Sequence, residues 1–483
     1  MNVKQLPALA LLLAVAMLSS SKSSPANEWP YLFDDPLHTM PAVIEKGPTL
    51  PGDNSPLPRT VQKDFSTPLT LEEALDLAFT NNQSVAMAWV DIKIQAGVLG
   101  EAYATYLPTF SGNLNYTKDY IFYYGSTSAG STSNIQNNKF TPQASLTWRL
   151  FDFGGRAANR RSAEHLLTAA LSGHDSALQD VAGKVIKAYY DALIANATLT
   201  ARVKNEEIAR HTLNSAKVRE EMGVIPQLDA LRATTALATA SLDKNRAASE
   251  YRKALAVLRM HLGLPGDTPL LLPAELNEQQ GGTNEQKELA QLLKEAQKNH
   301  PAIIKAKKQY EAAQEQVTVV KSAGLPEVTL SGNFYLNSAP GGSTTPGSYE
   351  TTAIVGMSLP LFDGFASTYK LRGAVAQAER KKAAVVETEG QIAMEIIRAY
   401  ADSDAARLNL DSSAVIISSA QNALATSQRK YDKGAADITE LLSTQAALSD
   451  AWNVRVRCLA EWHSARLLLL TSSGKLGKFA VKN

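Results

Sequence analysis

Few residues of this sequence have a type and spacing that could carry out chemistry. Its single cysteine, Cys458, cannot form a disulfide within the chain or contribute to a multi-cysteine metal site, and its seven histidines are scattered. No His-Glu-x-x-His, Gly-x-Ser-x-Gly, Gly-x-Gly-x-x-Gly or Walker-type motif occurs. Because no nucleophile, base and orienting group can be nominated together, the sequence predicts a protein that is not an enzyme and that binds neither cofactor nor metal.

The charge balance excludes another class of partner. Lysine and arginine together number 48 and aspartate and glutamate 47, which gives a net charge of +1. Nucleic acid is bound through an excess of positive charge, so we expect no nucleic acid partner. The 483 residues are not divided by any long Pro/Gly-rich linker. An elongated architecture is therefore favoured over a string of compact domains.

The first residues are typical of an export signal. Lys4 precedes an apolar run at 6–18, and small polar residues follow at 19–24. The run is shorter than the roughly 20 residues that a membrane-spanning helix requires. We expect a signal peptide over residues 1–26 and an extended segment over residues 27–67, in a protein that leaves the cytoplasm.

The rest of the chain consists of two similar halves. The segment WRLFDFGG around Phe151 matches LPLFDGFA around Phe362, and the tip at Gly223 matches the tip at Gly434. Both pairs are 211 positions apart, so the spacing has not slipped. Constant spacing is expected for paired long helices, whose packing register any insertion would break. The expected divisions are a first repeat at 68–263, an equatorial linker at 264–285, a second repeat at 286–475 and a tail at 476–483.

Each half contains two segments in which apolar and polar residues alternate. Phe110, Gly112, Leu114 and Tyr116, for example, alternate with polar residues. A period of two predicts strands with one apolar and one polar face, and about ten residues is the length a tilted strand needs to cross a bilayer. A half-buried soluble sheet would give the same alternation. The predicted strands are 107–124, 139–151, 326–337 and 349–362.

Aromatic residues at the ends of these segments support the membrane interpretation. In membrane barrels, aromatic girdles lie at the two interfaces between lipid and water. The residues expected at such an interface are Phe110, Trp148, Phe151 and Phe362.

A long helix follows each pair of strands. From Gly155 to Glu221 the chain has neither proline nor a turn cluster, which predicts a helix of roughly 100 Å. Each long helix turns at Gly223 or Gly434, and a second helix returns. A soluble antiparallel coiled coil is the alternative for the helices alone. In the last helix the predicted coiled-coil seam comprises Ile438, Leu441, Gln445, Leu448, Trp452, Arg455, Leu459 and Trp462.

The number of strands decides between these alternatives. Four strands leave two open edges, and hydrocarbon offers no water to satisfy the backbone groups of an open edge. One chain therefore cannot form a barrel, whereas several chains can. Eight strands would be filled by their own side chains, so a conduit favours a trimer with twelve.

In combination, these features resemble the outer-membrane factor (TolC-like) family of bacterial export channels. The residues that carry the resemblance are PLTLEEALDLAFTNNQ at 68–83, the Leu-Pro pairs before each strand pair, the LFDFG and LFDG boxes, and the two glycine-centred tips. The resemblance covers about residues 68–475. It implies a mainly α, internally duplicated fold whose homotrimer forms a twelve-stranded transmembrane β-barrel, continued by a long α-helical coiled-coil tunnel across the periplasm.

The resemblance also implies partners and a function. It implies an outer-membrane channel that acts as a passive exit duct for drugs or toxic small molecules. An inner-membrane pump of RND or ABC type would pass them on through a periplasmic adaptor, and lipid would surround the barrel. One alternative is the outlet of a type I protein-secretion system. A structural periplasmic coiled-coil protein is the second, although a tether needs no barrel.

Family members close the periplasmic end with tyrosine and acidic residues near the tips, which implies a gate of Tyr431, Asp229 and Glu440. Ser443 stands where the family pattern has a second aspartate, so the acidic ring is only partly reproduced. Three copies of Glu440 around an axis would attract cations. The alternative interpretation is that Asp229 and Glu440 are first-turn carboxylates favoured by the helix dipole and that Tyr431 is a packing residue.

The two tips themselves are expected to contact the adaptor. Their glycines also fit the left-handed conformation that ends many helices. The predicted contact residues are Met222, Gly223, Val224, Lys433, Gly434 and Ala435.

Overall fold

A computed structural model of the protein describes residues 35–46, 65–121, 135–273, 289–337, 348–433 and 435–476. The predicted signal peptide and much of the segment at 27–67 lie outside the described residues, as do Gly434, most of the tail and the second part of the linker at 264–285.

The order of elements repeats once along the chain. The first half contains α1 (Ala42–Lys46), α2 (Leu71–Asn81), α3 (Gln83–Ala104), β1 (Thr109–Ile121), β2 (Ile135–Phe151), α4 (Gly155–Glu221) and α5 (Gln227–Leu262). The second half contains α6 (Leu289–Asn299), α7 (Pro301–Ser322), β3 (Glu327–Asn337), β4 (Ser348–Ser358), α8 (Ala366–Asp432) and α9 (Ile438–Ser472).

The four strands form one antiparallel sheet in the order β1-β2-β3-β4. Its register separates the two classes of side chain. On one face Leu146 lies between Phe110 of β1 and Gly332 of β3, and on the other Ser145 lies between Ser111 and Asn333. The expected alternation is therefore continuous across the strands.

Several strand ends differ from the predicted bounds. β4 ends at Ser358 rather than at residue 362, because Pro360 has no backbone N–H to offer a ladder. β1 begins at Thr109, directly after Pro108, for the same reason. β2 begins at Ile135, earlier than expected from the alternation.

The two long helices begin in the same way. α4 and α8 both have 67 residues, and each follows two consecutive residues in the left-handed conformation: Phe153 and Gly154 in the first half, Gly364 and Phe365 in the second. The preceding aspartate caps each helix. Asp152 accepts a hydrogen bond from the backbone N–H of Arg156 at 2.8 Å, and Asp363 accepts one from Ser367 at 2.7 Å.

The helices lie side by side in an array. Beside the sheet the neighbours are α3, α4, α7 and α8, and towards the tips they are α5, α4, α9 and α8. α2 and α6 lie on this array as a further layer, α2 against α4 and α5 and α6 against α8 and α7. The main core joins Leu75 and Leu77 of α2 to Val181 and Val185 of α4. A smaller core joins Leu292 of α6 to α8.

The junction between α5 and α2 requires a glycine. Gly263 ends α5 with φ +68°, and a Cβ at this position would lie 2.5 Å from the backbone oxygen of Asn81. Only glycine meets both conditions without strain. Beyond it, Leu270 and Leu272 are buried in the main core, so this part of the expected linker is packed against the helices.

The predicted seam of α9 is only partly correct. Ile438, Leu441 and Gln445 are buried, but Trp452 is 44% exposed. The reason is that α9 packs against α8 on one side and α4 on the other, so its buried positions do not follow one heptad stripe. No described helix combines the length and apolar character needed to cross a membrane.

Candidate channel wall and helical tips

The polar face of the sheet is a hydrogen-bonded hydrophilic wall. The hydroxyls of Ser111 and Ser145 lie 2.7 Å apart, across β1 and β2. Near the end of the sheet that adjoins the helices, Arg149 Nε donates to Glu327 Oε1 at 2.7 Å. Both side chains remain more than a third exposed. Such a surface is suited to contact with water rather than to a protein core.

The opposite face is apolar and exposed in the single chain. Leu114 is 75% exposed and Val355 67%. Side chains of this kind are seldom left so open over a whole sheet face unless lipid or another protein covers them.

The predicted interface aromatics lie at the end of the sheet nearest the helices. Phe110 is 77% exposed and Phe362 76%. The indole N–H of Trp148 donates to the backbone oxygen of Tyr106 at 2.9 Å, which leaves the ring on the apolar face. This arrangement suits rings that meet lipid with one side and polar groups with the other.

Phe151 reaches the same face through a β-bulge. Arg149 pairs with Thr329, but the next paired residue is Phe151 with Val328, which leaves Leu150 as the extra residue. The bulge reverses the alternation and turns Phe151 towards the apolar face of Val328. Its ring then packs edge-on against Phe153, with ring centroids 4.8 Å apart.

Both outer strands of the sheet have one edge without a strand partner among the described residues, since β1 pairs with β2 alone and β4 with β3 alone. Open edges of this length offer unpaired backbone groups with which a strand of another chain can pair.

At the other end of the molecule the two helical hairpins meet around Tyr431. Its ring is 5% exposed and packs with Leu213, Ile438 and Leu441. The guanidinium of Arg219, at the end of α4, lies 4.7 Å from the ring centroid, and its Nη1 donates to the backbone oxygen of Tyr431 at 3.4 Å. The hydroxyl of Tyr431 is buried and finds no hydrogen-bond partner within the described part of the chain.

The two acidic residues of the predicted gate lie in the first turns of the returning helices. Asp229 is 3.4 Å from Arg232, whose Nη1 also lies 3.3 Å from the hydroxyl of Thr439 on α9. Glu440 lies 3.5 Å from Lys430 and is about half exposed. Both carboxylates thus have basic neighbours, as well as the favourable helix dipole.

The cap of α9 is a separate aspartate. Asp437 accepts hydrogen bonds from the backbone N–H groups of Glu440 at 3.0 Å and Thr439 at 2.5 Å. These bonds hold the pKa of the Asp437 carboxyl below its usual value.

The predicted contact residues form an exposed end to the molecule. Met222 is 72% exposed and Val224 69%, and Gly223 turns the chain with φ +73°. In the second tip Lys433 and Ala435 are exposed, while Gly434 lies outside the described residues. In each tip the residue after the glycine donates a backbone hydrogen bond of 2.8 Å, Val224 to Arg219 and Ala435 to Lys430.

Comparison with known proteins identifies the architecture. A family model described as outer membrane efflux protein matches residues 74–264 and 292–475, one range for each half of the chain. The chain belongs to this family. CyaE of Bordetella pertussis is 33% identical to it over 449 residues, which are 92% of this chain and 92% of that protein.

Solved structures share the fold of this efflux protein. The CmeC outer membrane channel of Campylobacter jejuni matches with a TM-score of 0.73 and 16% identity, over 94% of each chain. The outer membrane protein VceC of Vibrio cholerae matches with a TM-score of 0.70 and 19% identity, over 84% of this chain and 96% of that one. The family resemblance seen in the sequence and the outer-membrane location are confirmed.

The sequence did not single out Arg219 as a functional residue. Its partner Tyr431 is far away along the chain, so spacing could not connect them. A signal was nevertheless present, because Arg219 occupies the repeat position of Lys430, four residues before each tip glycine. Lys430 pairs with Glu440 of its own hairpin, whereas Arg219 contacts the other hairpin.

The structure has no site for metal chemistry in the residues it describes, where no group of three or more histidine, cysteine, aspartate or glutamate side chains could hold an ion. Cys458 is a buried free thiol in α9, as expected for a small packing residue. The family is one of channel proteins rather than enzymes.

Proposed function

We propose that three copies of this chain form a passive outer-membrane export channel. Each copy supplies four strands, and β4 of one copy pairs with β1 of the next to close a barrel of twelve. The observation that carries the proposal is the register of the sheet, which gives one apolar and one polar face and leaves the edges of β1 and β4 for neighbouring copies. The apolar face contacts lipid and the polar face lines water.

The long helices continue this barrel as a tunnel through the periplasm. α4 and α8 are each about 100 Å long, which is enough to reach far from the membrane. The tips dock a periplasmic adaptor through Met222, Gly223, Val224, Lys433, Gly434 and Ala435. The adaptor connects the duct to an inner-membrane pump of RND or ABC type, which supplies the work. Drugs or other toxic small molecules then leave through the duct.

The tips also form the periplasmic gate in this proposal. Tyr431 and Arg219 hold the two hairpins of one chain together. Asp229 also helps to hold the hairpins together, because it pairs with Arg232, and Arg232 contacts Thr439 on the other hairpin. Glu440, half exposed, forms a ring of three carboxylates around the axis, which favours cations.

Two measurements on the purified full-length protein test the channel. We expect trimers that resist dissociation in SDS without heating, and stepwise conductance in planar lipid bilayers with cations favoured over anions. A protein that stays monomeric in detergent, or that adds no conductance to the bilayer, would contradict the proposal.

A pair of variants tests the assignment of the sheet faces. Leu114→Arg places a charge on the apolar face and should reduce the yield of membrane-inserted trimer, because a charge at mid-bilayer depth costs about 2–4 kcal/mol. Asn113→Arg is its matched control, since the neighbouring residue lies on the polar face. Equal loss of trimer in both variants would show that the faces are assigned wrongly.

A further inference from the structure

A cavity of about 950 Å³ lies beside the junction where α9 ends and α7 begins. α4 forms one side of it and α8 the other. Ser472 and His300 lie at the junction itself, and most of the other residues that line the cavity are of polar types. Its volume is far larger than one water molecule needs, so a small organic molecule fits inside it.

The residues that line the cavity carry one more negative charge than positive. Four carboxylates line it against three basic side chains, and His300 adds no charge at neutral pH because burial lowers its pKa to about 4. The charged lining residues are Asp180, Glu395, Asp402, Glu461, Lys184, Lys187 and Arg398.

Two of these carboxylates line the cavity from different helices, Asp180 from α4 and Glu395 from α8. Burial raises the pKa of both groups, and the charge of Asp180 raises that of Glu395 further. Lys184 and Lys305 oppose the rise at Asp180, and Arg398 opposes it at Glu395. A positive group placed between the two carboxylates would relieve their repulsion.

A buried amide in the cavity lining is also without partners. Gln179 is 4% exposed, and neither its amide nitrogen nor its amide oxygen forms a hydrogen bond with any described residue. Leaving a buried amide unsatisfied costs about 1–3 kcal/mol. A polar ligand in the cavity can recover this energy once the Gln179 side chain turns its amide, which is closed off from solvent, towards the cavity.

The position of the cavity in the array assigns it to the lumen. On α4, Asp180, Lys184 and Lys187 lie on the side opposite Ala182 and Ile186, which belong to the same core as Leu75 and Leu77 of α2. A layer of extra helices inside a tube would block it, so α2 and α6 belong outside. The cavity therefore opens inwards, an assignment that rests on the proposed channel.

We propose that this cavity is a luminal binding site for small organic cations that carry ammonium groups. Asp180 and Glu395 pair with the ammonium groups, and the amide oxygen of Gln179 accepts a hydrogen bond from one of them. Transported cations would bind at this site roughly midway along the helical part of the duct. The site is separate from the tip carboxylates Asp229 and Glu440.

The test is calorimetric titration of the purified full-length protein in detergent with spermidine. We expect saturable binding with one site per chain, weakened by raised salt. The double variant Asp180→Asn, Glu395→Gln should lower the affinity by about tenfold or more, since it removes two charge-assisted hydrogen bonds. Gln179→Met, close to glutamine in shape, should lower it by about threefold, as expected for one neutral hydrogen bond.

The matched control is Asp191→Asn. Asp191 is an exposed aspartate on the same side of α4, about three turns beyond Asp180 and outside the cavity lining. It should leave spermidine binding unchanged. Thermal unfolding of each variant shows that it is folded.

The outcomes separate this inference from the proposed function. If spermidine does not bind, or binds the double variant and Gln179→Met as tightly as the wild type, the site is refuted even when the protein conducts. If Asp191→Asn weakens binding as much as the double variant, spermidine is attracted by the negative charge of the lumen in general and not by this cavity. That result also refutes the site. Absence of conductance refutes the channel, while calorimetry still decides whether the cavity binds cations.

Discussion

Replacing Arg219 by alanine is expected to loosen the periplasmic tip and to increase the time the channel spends open. The side chain contacts Tyr431 twice, through the ring at 4.7 Å and through the backbone oxygen at 3.4 Å. A partly buried cation–π contact contributes about 1–2 kcal/mol. The hydrogen bond is long and adds at most about 0.5 kcal/mol.

Loss of about 1–2 kcal/mol from the closed state corresponds to a shift of about 5- to 30-fold in the equilibrium between closed and open tips. Single-channel recording in planar bilayers measures this shift as open probability. Lys217→Ala is the matched control, because Lys217 is an exposed cation on the same helix close to Arg219. It should behave as the wild type.

Tyr431→Phe tests which part of the tyrosine is used. Its hydroxyl has no partner among the described residues, and phenylalanine keeps the ring that Arg219 contacts. We expect its open probability to remain within about threefold of the wild type, since no hydrogen bond is lost. The reasoning is refuted if Arg219→Ala conducts as the wild type does, or if Tyr431→Phe opens the channel as much as Arg219→Ala.

Three further predictions concern stability. Gly263→Ala should lower the melting temperature sharply, because its Cβ would lie 2.5 Å from Asn81, whereas Gly266→Ala, with open space around it, should not; equal melting temperatures would contradict the packing. Between pH 6.5 and about 4 the wild type should lose stability as pH falls, because His300 stays neutral in the fold and takes up a proton on unfolding. His300→Asn keeps a side-chain cap for α7 and should show a smaller loss by chemical denaturation, and an unchanged pH profile would count against this account. Glu206→Gln should destabilise the protein at neutral pH by weakening the contacts to Lys244 and Ser241. Because these contacts lower the pKa of Glu206, the difference in stability from the wild type should vanish as pH falls well below 4.5. A difference that persists at such pH would refute this role of the Glu206 charge.

The sequence is informative about the sheet because strands have a strict period of two. The alternation at Phe110, Gly112 and Leu114 identifies both faces, and the pairing register agrees with it in every strand. Alternation alone could not reveal the bulge at Leu150, since a bulge depends on how two strands pair. Phe151 therefore belongs to the apolar face for a reason that only the structure gives.

The helices were predictable in length but not in their packing. Absence of proline and turn residues predicts the extent of α4, whereas the surroundings of α9 depend on two neighbours from different parts of the chain. The heptad pattern predicts a buried Trp452, but this residue is 44% exposed because α9 packs against two different helices. The role of Arg219 and the cavity around Gln179 could not be predicted, because both depend on contacts between residues of the two halves that are far apart in the sequence.

The equal lengths of α4 and α8 limit how this protein can be resized. Both helices run from the same sheet to the pair of tips. One residue added to only one of them would therefore rotate its tip by about 100° and shift it by about 1.5 Å relative to the tip of the other. A longer duct for a thicker cell envelope would need matched insertions of whole heptads into all four helices that reach the tips. Seven residues in each would extend it by roughly 10 Å while keeping every helix face in place.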